Sequence, residues 1–557
     1  MKKVILIIII SLFAGSLFAQ LAPNIYWIEF KNKNGTPYSI DNPEEFLSPR
    51  AIERRNKQNI EIDTNDLPVT PQYISQIESF GLEVINVSKW LNGVVVRTND
   101  QSKIKEIESL DFVKSVNLQG DKKKKKKEKK YKKETPSSKT KPLKHEKKGD
   151  NLLAYGLGKE QIYMHNGQEL HNLGYQGENM LIAVTDAGFN NFNELRAFDS
   201  LRVNNQIIAT KNIVNHTQDV FQYSTHGSNV TSVIGANIPD TLVGTAPKAN
   251  FILICTEDVS YENIIEEINW ACGAEFADSL GADIINVSLG YFKFDIPYWS
   301  HEESDRDGLT AWISKACNTA FSKGILVVVS AGNSGNSDNP HVGMPADAYG
   351  ALTVGSIDYN SEIASTSSIG PTSDGRIKPD VCAIGAGTIC QQSSGVISSS
   401  SGTSFSAPII SGLAACLWQA HPNFTNLQIM QAIKKSAHQY NSPDNIYGYG
   451  IPDFALAHEI LSNIDEIENE NQHKLKVYPN PFNQSVIVEY KDIENEQISI
   501  IISNIQGEEI FNKSYELSST NKGQIKINEL RDLSLGYYVL SLKDGKKLYN
   551  QKLIKLN

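Results

Sequence analysis

A chain of 557 residues, 40% hydrophobic and 21% charged, has globular composition, which excludes a wholly disordered or collagen-like polymer. At about 100–200 residues per domain, roughly three to five domains are expected. The formal charge of −10 is an average over unlike parts: residues 121–150 hold 15 Lys and 5 acids, a net +10, so the remaining 38 basic and 58 acidic residues give −20.

The chain opens on Met1-Lys2-Lys3, an apolar run from Val4 to Phe13, and small residues up to Ala19. That run is short for a hydrocarbon span of about 30 Å. Residues 1–19 therefore read as a signal peptide, and the mature protein as soluble or surface-attached. Residues 20–120 read as a small α/β domain. Ile25–Phe30 alternates like a strand, Tyr73–Phe80 has helical spacing, and Val94–Arg97 follows an Asn92-Gly93 turn. Ile104, Ile107 and Leu110 mark a second helix, and Val113–Leu118 another strand. The Lys-rich residues 121–150 lack apolar material and repel one another, so an extended, solvated linker is expected. An export signal argues against nucleic acid as their partner.

Residues 151–460 alternate apolar strands with helical stretches. Leu181–Val184, Phe251–Ile254, Ile284–Val287 and Ile325–Val329 are short and rich in β-branched residues. Such strands between helices predict a parallel sheet covered on both faces. Residues 461–472 are acidic and polar, the composition of a linker. Residues 473–557 alternate again, as in Ser485–Tyr490 and Gly536–Leu542, with turns at Gln506-Gly507 and Asp544-Gly545, and predict a small all-β sandwich. The six cysteines fall between positions 255 and 416. Cys382 and Cys390 could form a local disulfide, and buried free thiols are the alternative. No Cys-x-x-Cys spacing suggests zinc.

Three element ends in the central part carry chemistry. Asp186 follows a buried strand directly and precedes Ala187-Gly188. At the carboxyl end of a parallel strand it would face the ligand crevice, although a lone Asp there is more often a cap. His226-Gly227-Ser228 begins a helical pattern through Val230, Val233 and Ile234. Ser404 lies in Ser401-Gly402-Thr403-Ser404-Phe405-Ser406-Ala407-Pro408, ahead of a helical face of Ile410, Leu413 and Leu417. Pro is tolerated in a first turn, so Ser404 is expected at a helix N-terminus, where N–H groups favour a developing anion. Alone, it reads as a cap. Together the three make a system: a serine needs a base to become a nucleophile, a histidine supplies one near neutral pH, and a carboxylate orients the histidine. The order Asp, His, Ser, with gaps of 40 and 178 residues, is that of subtilisin.

Residues 151–460 thus resemble the subtilisin-like serine proteases. Val243-Gly244-Thr245-Ala246-Pro247, Asn286-Val287-Ser288-Leu289-Gly290, Ser330-Ala331-Gly332-Asn333 and Lys378-Pro379-Asp380-Val381 extend the match. The resemblance implies a three-layer α/β catalytic domain and endopeptidase activity through an acyl-enzyme. Asp186, His226 and Ser404 would be the triad, and Asn333 would donate to the oxyanion hole. Ser288, Leu289, Gly290, Ala331 and Gly332 would hold extended polypeptide substrate. No cofactor is implied for the chemistry, and family calcium sites cannot be placed, since Asp305-Arg306-Asp307-Gly308 reads as a turn. Two departures, Ala187 after Asp186 and Val381-Cys382-Ala383 after Lys378-Pro379-Asp380, touch no proton-transfer atom. By position, residues 20–120 resemble a subtilase propeptide, which makes the chain a zymogen with its mature start between about residues 120 and 155. Val477-Tyr478-Pro479-Asn480-Pro481-Phe482 resembles the start of a type IX secretion sorting domain, implying export through the periplasm to the medium or outer surface; a substrate-binding sandwich is the alternative. A non-catalytic surface protein on the same shell is the competing reading of the whole.

Overall fold

The computed structural model describes residues 25–120, 152–260, 262–504, 508–534 and 536–555. The expected signal peptide and the whole Lys-rich stretch, residues 121–150, lie outside them. The chain divides into two compact units, residues 1–458 and 459–557.

The first unit begins with β1 (Ile25–Phe30), α1 (Pro49–Lys57), α2 (Pro71–Ser79), β2 (Glu83–Ser88), β3 (Gly93–Arg97), α3 (Gln101–Glu108) and β4 (Val113–Gly120). The strands form an antiparallel sheet in the order β2-β3-β1-β4. Period-two alternation gives this sheet two buried faces. Tyr26, Ile28, Phe30, Val94 and Val96 pack with Ile77, Ile104 and Ile107 of its own helices. Trp27 and Val95 point the other way, into the large core of the following domain.

That domain contains β5 (Leu181–Asp186), β6 (Ile207–Asn212), α4 (His226–Gly235), β7 (Asn250–Cys255), α5 (Ile265–Leu280), β8 (Ile284–Val287), α6 (Trp312–Ser322), β9 (Leu326–Ser330), β10 (Ala351–Ile357), β11 (Val381–Ile384), α7 (Thr403–Ala420) and α8 (Asn426–Lys435). Seven parallel strands run in the order β11-β10-β9-β8-β5-β7-β6. Ala183, Ile285, Val287, Val327 and Val329 pack on the side of α5 and α6. The alternate residues face the other way, where α4 and α7 pack together. All six cysteines are buried and free, which decides against a Cys382–Cys390 bond.

The seam between the N-terminal sheet and α5 is polar and buried. Glu275 accepts from Ser88 Oγ at 2.5 Å and from the N–H groups of Lys89 and Trp90 at 2.9 and 3.0 Å. Asp278 meets Arg54 at 2.5 Å, Arg55 at 2.9 Å and Lys89 at 3.3 Å. Asp66 links Arg55 to Lys323 at 2.6 and 2.8 Å.

The second unit begins within a helix and is all-β after it. The helix α9 (Phe454–Lys474) runs through the stretch expected to be a linker. It contains no Gly or Pro and many good helix formers, so acidity alone does not unwind it. Then β12 (Leu475–Tyr478), β13 (Val486–Lys491), β14 (Gln497–Asn504), β15 (Glu509–Glu516), β16 (Lys522–Ile527), β17 (Gly536–Asp544) and β18 (Lys547–Lys555) form two antiparallel sheets, β12-β13-β16 and β15-β14-β17-β18, over one core. No helix among the described residues is long and apolar enough to cross a membrane.

Burial alone would raise the Asp278 carboxyl, but the charges of Arg54, Lys89 and Arg55 outweigh it and hold it at about 2. Its stabilising effect is therefore complete above the ordinary carboxylate value of about 3.9 and is lost as pH falls toward 2. Asp278→Ala removes the carboxylate partner of Arg54 and Lys89, leaves Arg55 only Asp66, and should cost about 3–5 kcal/mol. Urea unfolding of the full chain at pH 7 measures it; an unchanged midpoint would show that this seam contributes nothing.

Candidate active site

Four strand ends converge on one edge of the parallel sheet. β5 ends in Asp186, whose register partner is Cys255, the last residue of β7. β8 runs directly into Ser288, and β9 into Ala331-Gly332-Asn333. This is the carboxyl edge of the sheet, where open α/β folds bind ligands. A cavity of about 910 Å³ lies there, and all nine sequence-predicted site residues line it.

His226 is the first residue of α4. The helix start sits hard against the turn after Asp186: the Gly227 N–H donates to Gly188 O at 3.1 Å. A Cβ on Gly227 would meet that oxygen at 2.5 Å, so only glycine permits the approach. The result is a close pair, with His226 Nδ1 at 2.9 Å from Asp186 Oδ2 and 3.0 Å from Oδ1. Asp186 is itself buried, and Oδ1 also accepts from the Ala187 N–H at 2.7 Å. The Phe405 ring stands edge-on to the imidazole, 5.8 Å between centroids.

Ser404 is the second residue of α7, after Gly402 at φ +139°. Pro408 lies one turn deeper than the sequence suggested, inside the helix. Having no N–H, it cannot bond the Ser404 carbonyl four residues back. That carbonyl accepts instead from Ser288 Oγ at 2.9 Å, and Ser404 Oγ donates to Ser288 O at 3.2 Å. The proline thus trades one intrahelical bond for a reciprocal clamp between α7 and the end of β8.

Asn333 is oriented by the same helix start. Its Oδ1 accepts from the Thr403 N–H at 2.9 Å and from Thr403 Oγ1 at 3.2 Å, so its NH2 group is the donor it offers to the cavity. Thr403 Oγ1 in turn accepts from the Gly332 N–H at 3.0 Å. The clamping role of Ser288 and the orienting role of Thr403 were missed from sequence. The available signal was Pro408 at four residues from Ser404.

Residues 177–450 match the subtilase family, residues 25–135 a peptidase S8 propeptide domain of Bacteroidota, and residues 476–556 a secretion system C-terminal sorting domain. A subtilisin of Bacillus pumilus is 30% identical over 288 residues, covering 51% of this chain and 92% of that protein. The chain belongs to the subtilase family. Serine protease AprX of Bacillus subtilis is 30% identical over 315 residues, and this subtilase spans 66% of its length. A thermostable alkaline protease of Halalkalibacterium halodurans is 28% identical over 321 residues, covering 56% of this chain and 79% of that protein.

In this subtilase, Ser288→Ala leaves the Ser404 carbonyl buried without its donor. The expected cost is about 1–3 kcal/mol, read by denaturant unfolding; a loss below ~0.5 kcal/mol would mean that the clamp is not structural.

Proposed function

We propose that the protein is a secreted serine endopeptidase made as a zymogen, with Asp186, His226 and Ser404 as its catalytic triad. The observation that carries the reading is the 2.9 Å contact of His226 Nδ1 with Asp186 in a cavity that Ser404 also lines. With Nδ1–H donated to Asp186, Nε2 is the basic nitrogen. It takes the proton of Ser404 Oγ as that oxygen leaves the Ser288 carbonyl and attacks the substrate carbonyl. Negative charge then develops on the substrate oxygen. Asn333 NH2 and the Ser404 N–H, at the positive end of α7, are the donors for it. His226 returns the proton to the leaving amine, and a water admitted by the same base hydrolyses the acyl-enzyme. Ser288, Leu289 and Gly290 on one side, with Ala331 and Gly332 on the other, hold the substrate backbone as an added strand. Substrates are therefore unfolded or looped polypeptide.

Residues 20–120 act as the propeptide, docked through the seam on Glu275 and Asp278. Residues 473–557 address the chain to a type IX secretion machinery, and the product is released or displayed on the outer cell surface.

Ser404→Ala should abolish casein hydrolysis and self-processing. Asn333→Ala should lower kcat by about 10²–10³, a magnitude measured in subtilisin, a relative of this chain, with KM little changed. Wild-type turnover in Ser404→Ala would sink the assignment. Deleting residues 473–557 should leave the product in the periplasm; normal secretion with weaker substrate binding would make the C-terminal unit a substrate-binding module instead.

A further inference from the structure

One wall of the cleft takes no part in the chemistry above. The segment after β7 brings Glu257, Asp258, Glu262 and Glu266 into the same cavity as Asp186, His226 and Ser404. Glu257 is fixed from two sides: Thr256 Oγ1 donates to its Oε1 at 3.0 Å, and the Tyr291 hydroxyl donates to the same oxygen. Glu266, buried behind it, accepts from the Asp258 N–H at 2.8 Å and the Asn263 N–H at 3.0 Å, which pins the loop that carries the others. Carboxylate oxygens of Glu257, Glu262 and Glu266 lie within 4.8 Å of one another. The guanidinium of this cavity, Arg306, is engaged by Glu303 and, at 2.8 Å, by Asn339; Lys293 is exposed.

Carboxylates so close cannot all ionise cheaply. Burial, and then repulsion among these acids, holds Glu257 and Glu266 above the usual carboxylate range. A cation entering the cleft would relieve that repulsion, whereas an apolar or acidic side chain would not. The chain supplies such a cation. The segment that leaves β4 at Gly120 and leads to the domain holding the cleft contains 15 Lys within residues 121–150. Its charge is opposite to that of the carboxylate wall, and the zymogen reading places the maturation cut within or beside it.

Resting on the protease reading, we propose that Glu257, supported by Glu262 and Glu266, makes this cleft select polypeptides with a lysine or arginine side chain within a few residues of the scissile bond, and that the chain's own Lys-rich segment is its first such substrate. Specificity of this kind is a difference between substrates. It is read from the ratio of kcat/KM for matched peptides with lysine or its uncharged isostere norleucine at each position around the cut. The mature wild-type enzyme should favour lysine at one position by tenfold or more, and the preference should shrink as salt is raised. Glu257→Gln should reduce that ratio at least fivefold. The exposed Glu262→Lys, which does not threaten the fold, should reduce it and bring glutamate peptides into the cleaved set.

Equal cleavage of lysine and norleucine peptides by wild type overturns the proposal while leaving the protease reading intact. So does an equal loss on both peptides in the variants. Calorimetric binding of calcium to wild type that vanishes in Glu262→Lys, with the peptide ratio unmoved, makes the wall a metal site and also overturns it. If no peptide is cleaved in a Ser404-dependent way, the protease reading itself falls, and this one with it.

Discussion

The site depends on one constraint: α7 must begin where four parallel strands end, and it must begin without a complete set of its own hydrogen bonds. Pro408 withholds the bond that the Ser404 carbonyl would receive within the helix, and Ser288 at the end of β8 supplies it. The first turn of α7 is thereby tied to the sheet by side-chain and main-chain bonds together. Thr403, the neighbouring residue, fixes the amide of Asn333 and the N–H of Gly332. Ser404, the Asn333 amide and the Gly332 backbone are positioned by two successive residues of one helix start. His226 arrives independently, on a second helix whose first turn can approach the Asp186 turn only because residue 227 is glycine.

How much of this could be read from residues alone varied with the kind of signal. Asp186, His226, Ser404 and Asn333 stand in short ordered motifs whose chemistry is specific, and all fall in one cavity. The central strands were legible as apolar runs because a parallel sheet buries both faces. Of the three central strands that escaped notice, β6, β10 and β11, two did so for definite reasons. β6 lies at the sheet edge, is only partly buried and ends in Thr-Lys-Asn. β10 is fully buried but broken by Thr353, Gly355 and Ser356; its threonine is satisfied by the Ala346 carbonyl at 2.7 Å. Helix α1 was invisible to an apolar-periodicity reading because its buried face is Ala51, Arg54 and Arg55. Those arginines are inside only because Asp278 and Asp66 wait for them, and no local pattern announces a partner as far away in the chain as Asp278. In the acidic stretch before the C-terminal sheets, composition suited a linker and propensity makes that stretch helical.

Charge connects these parts. The −10 of the whole chain is divided among a cationic segment, an acidic remainder, a buried ionic seam beneath the N-terminal sheet and a carboxylate wall beside the cleft. The seam is made of fully buried pairs, which fix geometry more than they add net stability. It can therefore specify how the N-terminal sheet docks on α5 while leaving the energy of docking to Trp27, Trp90 and Val95 in the shared apolar core.

The account stands or falls on whether Ser404 is a nucleophile activated by His226. The most direct measurement is labelling of the mature enzyme with a fluorophosphonate, followed by peptide mass spectrometry. A single adduct on Ser404, absent from a folded His226→Ala variant, is the predicted result. A folded enzyme that takes up no label, or takes it equally well without His226, would contradict it.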